Sequence, residues 1–146
     1  MPLRSPATNK IAFSGCPELN IFSCLSQIMG QHRRILIVED EILIRMFLHD
    51  LFAEAGWEVL EAGGADDALL IFNNTIDAVI SDVEMPGTLD GLELCWQIHQ
   101  RAPGTPMVLM SGRRLPMKSA LPPKTRFFAK PVMSAELIEA ITELLE

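Results

Sequence analysis

Cysteine is scarce in this 146-residue chain: Cys16, Cys24 and Cys95 are odd in number and show no Cys-x-x-Cys spacing. That argues against a disulfide framework and against a zinc site built on paired thiolates, and it points to a reducing compartment. Long apolar runs are missing as well. No stretch approaches the roughly 18 residues that a membrane span needs, and the apolar runs near the N-terminus are broken by Ser14, Pro17, Glu18 and Asn20. No membrane partner and no signal peptide are therefore expected, and the expected location is cytoplasmic. Positive charge is also in short supply, with 12 Lys and Arg against 19 Asp and Glu and a net charge of −7. Arg4, Lys10 and Glu18 give residues 1–28 a charge of +1, so the remainder carries −8. An acidic surface repels phosphodiester backbones, which makes nucleic acid an unexpected partner; divalent cations or basic protein surfaces suit it better.

What is present is a folded domain. Hydrophobic residues make up 49% of the chain and charged ones 21%, the balance of a globular protein long enough to bury a proper core. Residues 1–32 show no sustained period of 2 or 3.6 and mix Pro, Ser, Asn and Gly. They read as a weakly ordered extension, with at most a short amphipathic turn over 21–29, and translation could instead begin at Met29. Residues 33–146 form the domain.

From there strands and helices alternate. Ile35-Leu36-Ile37-Val38 is a continuous apolar strand that runs into Glu39-Asp40-Glu41. In the next segment Ile42, Met46, Phe47, Leu51 and Phe52 fall at helical spacing, and Gly56 supplies the stop. Residues 57–62 form a second strand, and 65–72 a short helix with Ala68, Leu69 and Phe72 on its inner side. Residues 78–81 are a third, fully buried type of strand that ends at Asp82, because Pro86 and Gly87 turn the chain. Asp90 is placed to cap a helix over 92–101 whose core candidates are Leu94, Cys95 and Ile98. Residues 107–110 and 126–129 are the fourth and fifth strands, and Ser134 caps a closing helix with Leu137, Ile138, Ile141, Leu144 and Leu145 inward. Five alternations of strand and helix predict an α/β fold, a parallel sheet covered on both faces.

In such a sheet the ends of like-directed strands share one edge, which is where open α/β sheets bind their ligands. That edge would carry Glu39 and Asp40, Asp82, Ser111 and Lys130. Singly each has a bland explanation: an Asp caps, a Ser turns, a Lys is solvated, and Glu41 is an acid favoured by a helix start. Together they suit phosphoryl transfer to a carboxylate, in which catalysis is mainly positioning and charge neutralisation. Asp82 would be the nucleophile. Asp40 and Asp82 would hold Mg²⁺ (or Mn²⁺) with a backbone carbonyl just after Asp82 and water, Glu39 reaching the metal through water. Lys130 would supply a point charge opposite the metal, and the Ser111 hydroxyl a donor to a phosphoryl oxygen.

The ordered set Val38-Glu39-Asp40, Ser81-Asp82-Val83-Glu84-Met85-Pro86-Gly87, Asp90-Gly91, Ser111-Gly112 and Lys130-Pro131 resembles the receiver domain of bacterial two-component response regulators. The resemblance implies a flavodoxin-like (βα)5 doubly wound sheet of five parallel strands in the order 2-1-3-4-5. It implies Asp82 as phosphoacceptor, Glu39 and Asp40 as the acidic pair, the Glu84 carbonyl as a metal ligand, Ser111 as the switch hydroxyl and Lys130 as the lysine of the set. Phe127 stands at the aromatic switch position, where the family often has Tyr, a residue absent from this chain. One region departs from the pattern. Pro116, Pro122 and Pro123 fall between Ser111 and Lys130, so the fourth helix should be short or irregular. Glu84 and Arg113 should flank the site, where an ion pair between them would limit water attack; two solvated side chains are the alternative.

The expected protein is thus a stand-alone receiver, not an enzyme beyond its own aspartyl phosphorylation and dephosphorylation. It would take phosphate from a histidine kinase or histidine phosphotransfer protein and signal to another protein, or act as a relay shuttle or phosphate sink. The alternative is an aspartate-nucleophile phosphohydrolase of the haloacid dehalogenase type, although there the nucleophile lies on the first motif strand with a second Asp two residues on.

Overall fold

The computed structural model describes residues 32–113 and 120–146. Residues 1–31, on which the expected extension falls, lie outside the described residues. So does 114–119, where most of the expected fourth helix would lie. The described elements are β1 (Arg34–Val38), α1 (Ile42–Glu54), β2 (Glu58–Ala62), α2 (Ala65–Ile71), β3 (Ala78–Asp82), α3 (Gly91–Arg101), β4 (Met107–Ser111), β5 (Thr125–Ala129) and α4 (Ser134–Leu145). The five strands form one sheet in the order β2-β1-β3-β4-β5, and every neighbouring pair is parallel. This is the doubly wound flavodoxin-like arrangement. Because β2 lies on one side of β1 and β3 on the other, the order reverses between β1 and β3, opening a crevice at their carboxyl ends.

Strand periodicity divides the core. Successive side chains of a strand point to opposite faces, so Leu36, Val38, Val79, Met107 and Leu109 pack with Ala65, Ala68, Phe72, Leu94, Cys95 and Ile98 of the α2–α3 side. Ile35, Ile37, Ala78, Ile80, Val108 and Met110 pack with Leu48, Phe52, Leu137, Ala140 and Ile141 on the α1–α4 side. The central strands β3 and β4 are buried throughout, which is why each reads as an unbroken apolar run rather than an alternation.

The helix ends follow local chemistry. Asp90 accepts a hydrogen bond from the Glu93 N–H at 2.8 Å while the Glu93 carboxylate accepts one from the Asp90 N–H at 3.0 Å, a complete capping box. Gly56 follows α1 with φ of +92°, a conformation in which the missing β-carbon removes the steric penalty. Two expectations need correction. Ser134 is the first residue of α4 rather than its cap; Met133 holds the cap position without a side-chain bond. The inner face of α1 is Leu48 and Phe52, with Ile44 and Leu51 packed beside them, whereas Ile42, Met46 and Phe47 are exposed. Eight of the eleven residues from Ile42 to Phe52 are apolar and they lie all around the helix, so spacing alone left its phase open. Among the described residues no helix is long and apolar enough to cross a membrane.

Candidate functional site

The crevice at the β1–β3 switch point collects the acidic residues. β1 ends at Val38 and delivers Glu39, whose N–H continues the ladder by donating to the Ala62 carbonyl at 3.1 Å. β3 delivers Asp82 as its last residue, and the Val83 N–H donates to the Met110 carbonyl at 2.8 Å, which fixes where that strand end points. Glu39, Asp82 and Ser111 are buried, and Asp40 is half-buried. Each of Glu39, Asp40 and Asp82 offers a carboxylate oxygen within 4.8 Å of the other two.

Three carboxylates this close repel one another, and among the described residues Lys130 brings a cation to them. β5 is extended by the Lys130 N–H donating to the Ser111 carbonyl at 2.8 Å, which carries the lysine to the same edge. Its Nζ lies 2.9 Å from Asp82 Oδ2 and 3.2 Å from Glu39 Oε2. The following Lys130–Pro131 peptide bond is cis. The Glu39 carboxylate also accepts the Glu41 N–H at 3.2 Å, and Asp82 Oδ1 accepts the Glu84 N–H at 3.3 Å. Glu41 itself points away, exposed at the start of α1 without a capping bond, in keeping with the solvated reading.

Burial sets the proton affinities. It pushes the Glu39 carboxyl up to about 7, aided by the Asp82 charge and opposed by the Glu41 N–H and Lys130. Burial likewise raises Asp82 above the usual carboxylate range, against the hydrogen bond and charge of Lys130. For Lys130 burial works toward loss of its proton, but the bonds and charges of Asp82 and Glu39 prevail and hold its pKa above the ordinary lysine value. Lys130 thus pairs with two of the three acids, Glu39 and Asp82, and compensates them incompletely. A hard divalent cation fits that donor set, which is entirely oxygen and anionic.

The structure brings together Glu39, Asp40, Asp82 and Lys130, and it places Ser111 and Glu84 beside them. Ser111 Oγ donates to the Glu84 carboxylate and accepts the Arg113 N–H at 3.0 Å. Of the two readings of Glu84 and Arg113, an ion pair or two solvated side chains, neither describes Glu84: its carboxylate accepts from Ser111, and the Arg113 charge still acts on it without an ion pair between them among the described residues. Burial opposes ionisation of Glu84, yet the Ser111 hydroxyl, backbone N–H, Asp82 and Arg113 outweigh it and leave the carboxyl below its ordinary value. Phe127 is half-buried on β5 and packs against the buried cluster on the α2–α3 side.

Two supporting residues had no sequence signal. Arg45, one turn into α1, donates Nη1 to the Glu39 carbonyl at 2.8 Å; its role depends on where β1 and α1 meet in space. Asp66, in the first turn of α2, accepts from Thr88 Oγ1 at 2.9 Å and the Thr88 N–H at 3.4 Å, tying down the loop that follows Asp82. Gly87 in that loop has φ of +125°.

An acidic, lysine-bridged pocket at the switch point of a doubly wound sheet defines a receiver-type signalling domain. The family model for the response regulator receiver domain matches residues 35–142, and the chain belongs to that family. Among its relatives, the sensory/regulatory protein RpfC of Xanthomonas campestris is 34% identical over 119 residues, covering 76% of this chain and 16% of RpfC. The transcriptional regulatory protein PdtaR of Mycobacterium tuberculosis is 35% identical over 113 residues, covering 75% of this chain and 55% of PdtaR. The match thus spans well under two thirds of these relatives' own length. Among solved structures, the receiver domain of the hybrid histidine kinase CckA is similar with a TM-score of 0.66 and 34% identity, covering 77% of this chain and 99% of that one. The response regulator TrrA of Thermotoga maritima, in complex with Mg²⁺ and BeF, gives a TM-score of 0.67 at 32% identity, covering 77% of this chain and 98% of that one. The haloacid dehalogenase alternative is set aside by this membership.

Proposed function

We propose that the chain accepts a phosphoryl group on Asp82 from a histidine kinase or histidine phosphotransfer protein, in a reaction dependent on Mg²⁺, and signals through protein–protein contacts. The observation that carries this reading is Lys130 Nζ seated between Asp82 and Glu39, at 2.9 and 3.2 Å. That contact leaves Asp82 buried, oriented and only partly neutralised. Asp40, Asp82 and the Glu84 carbonyl would hold the cation, with Glu39 through water, and Mn²⁺ suits the same oxygens. The metal supplies charge neutralisation for the phosphoryl oxygens when bound. The Mg²⁺–BeF complex of TrrA supports that assignment by likeness.

The protein's own groups then divide the work. Asp82 Oδ supplies the electron pair that forms the bond to phosphorus as the bond to the donor's imidazole nitrogen breaks. Lys130 stays protonated and balances charge on the acceptor side. The Ser111 hydroxyl becomes a donor to a phosphoryl oxygen, and Phe127 follows Ser111 as the aromatic switch that alters the surface around β5. The only chemistry ascribed to the chain is phosphorylation and hydrolysis at its own Asp82.

The test is incubation with acetyl phosphate and Mg²⁺, read by intact mass. Wild type should gain one phosphoryl group that hydroxylamine removes, while Asp82→Asn and a Mg²⁺-depleted sample should gain none. Unchanged modification of Asp82→Asn would overturn the reading.

A further inference from the structure

The Ser111 hydroxyl carries one proton, and that proton is already committed. It is donated to the Glu84 carboxylate, and the oxygen accepts the Arg113 N–H at 3.0 Å. A serine hydroxyl has a single donor, so while this bond lasts nothing remains to donate to a phosphoryl oxygen on Asp82. Ser111 is 1% exposed, which leaves water little access as a substitute partner. The Glu84 carboxylate is anionic, as a phosphoryl group is, and lies close enough to Asp82 for each to shift the other's proton affinity. In the resting structure it therefore stands in for the anion that Ser111 is meant to meet.

Building on the reading of Asp82 as phosphoacceptor, we propose that Glu84 is a resting-state latch on Ser111. Its side chain holds the hydroxyl until the group arriving on Asp82 takes that hydrogen bond over and displaces the carboxylate toward solvent. No proton changes owner in the exchange. Ser111 keeps its hydrogen and redirects it, and Glu84 stays ionised. The Glu84 carbonyl is a backbone group, so its place beside the metal does not depend on the latch. Because Ser111 must give up one charge-assisted bond to make another, the loss of the Glu84 bond offsets part of what the phosphoryl contact gains and keeps the unmodified protein in its resting form.

Beryllofluoride with Mg²⁺ is the probe, its affinity measured on the full chain by amide chemical shifts. Glu84→Ala should bind it about tenfold more tightly than wild type, the scale of one charge-assisted hydrogen bond. Glu84→Gln, which keeps size and a neutral acceptor, should fall between the two and covers the case in which the alanine variant folds poorly. In a Ser111→Ala background the same Glu84 substitution should gain little. A full gain there would show plain charge repulsion and overturn the latch, as would equal affinity of wild type and both Glu84 variants. Without ligand, the Arg113 amide resonance should move in Glu84→Ala, since the hydroxyl it donates to has been freed; an unmoved resonance also counts against the latch. If wild type fails to bind the probe, or Asp82→Asn binds it equally well, the phosphoacceptor reading fails and the latch falls with it, an outcome distinct from equal binding across Glu84 variants.

Discussion

A β-carbon placed on Gly91 would fall 2.0 Å from the Asp82 carbonyl oxygen and 2.8 Å from its carbon. The first turn of α3 is thus packed directly on the backbone of the phosphoacceptor candidate, and the Gly91 N–H donates to the Val83 carbonyl at 2.9 Å. Glycine is required here for close approach, not for its dihedral freedom. Gly91→Ala should cost about 1–3 kcal/mol of stability by overpacking, measured by urea denaturation. It should also slow modification of Asp82, because the strand end has to move. A stable variant with wild-type modification kinetics would show that the loop yields without disturbing Asp82.

Lys130 is the ammonium that compensates Glu39 and Asp82. Replacing it with Met, which keeps the stem and removes the charge, leaves buried acids without their partner, a loss of about 3–5 kcal/mol where the pair is well buried. Lys130 is 22% exposed at its side chain, so solvent screening should bring the loss toward the lower end or below it. Thermal melts at pH 8 should show the deficit, and it should shrink at pH 5 as the acids take up protons. A deficit independent of pH would mean that packing, not charge, is what the lysine supplies.

The acids themselves predict a pH dependence. Glu39 is raised from 4.5 to about 7 in the folded protein, and Asp82 is raised from 3.8. The folded state therefore binds more protons than the unfolded one between those limits, so the stability contributed by these groups is full below the unfolded values and is lost as pH rises through the folded ones. In EDTA, unfolding free energy should fall from pH 5 to pH 7.5, and Glu39→Gln should flatten most of that slope. Added Mg²⁺ should restore stability at the upper end, with affinity that increases with pH because binding displaces protons. A stability curve that rises over this range would refute the assignment of burial as the dominant cause.

Cys95 is wholly buried on α3, and burial pushes its thiol up to about 12, with the Asp90 charge adding to the shift. The thiolate is the reactive form. Iodoacetamide at pH 8 followed by peptide mapping should leave Cys95 unlabelled in the folded protein and labelled in urea. Rapid native labelling would indicate that α3 opens on the timescale of the reaction.

The sheet and the placing of most candidate site residues were legible because they depend on short-range signals. Buried parallel strands are apolar runs that end at turn residues, so Asp82 and Ser111 could be placed at strand ends, and the winding rule put those ends on one edge. The Asp90 cap was legible for the same reason, its partner lying three residues away. What was not legible depends on distance through space. The inner face of α1 is fixed by how β1 hands the chain to the helix, and a segment with apolar residues on every side, eight in eleven from Ile42 to Phe52, leaves the phase open. The Glu84–Ser111 bond joins residues 27 apart in sequence, and the Arg45–Glu39 contact needs the tertiary placement of a side chain that reads as an ordinary solvated arginine. Ser134 misled because serine at a helix start is so often the cap.

The Asp66–Thr88 contacts yield a last prediction. The loop between Asp82 and α3 carries the Glu84 carbonyl proposed to face the metal, and it includes Gly87 at φ of +125°. Asp66 grips that loop from α2 through both the hydroxyl and the N–H of Thr88, and a β-carbon on Gly87 would lie 3.1 Å from Asp66 Oδ2. These bonds are exposed, so removing them should change global stability by no more than about 1 kcal/mol. Their effect should appear instead in the order of the loop. Asp66→Ala should weaken Mg²⁺ binding by about threefold, about 0.6 kcal/mol of lost preorganisation, while Asp66→Asn, which keeps one acceptor for Thr88, should recover part of it. Amide hydrogen exchange should accelerate at Thr88 but not in β3. If Mg²⁺ affinity is unchanged while that exchange accelerates, the Glu84 carbonyl is positioned by β3 alone and the loop contributes nothing to the metal site.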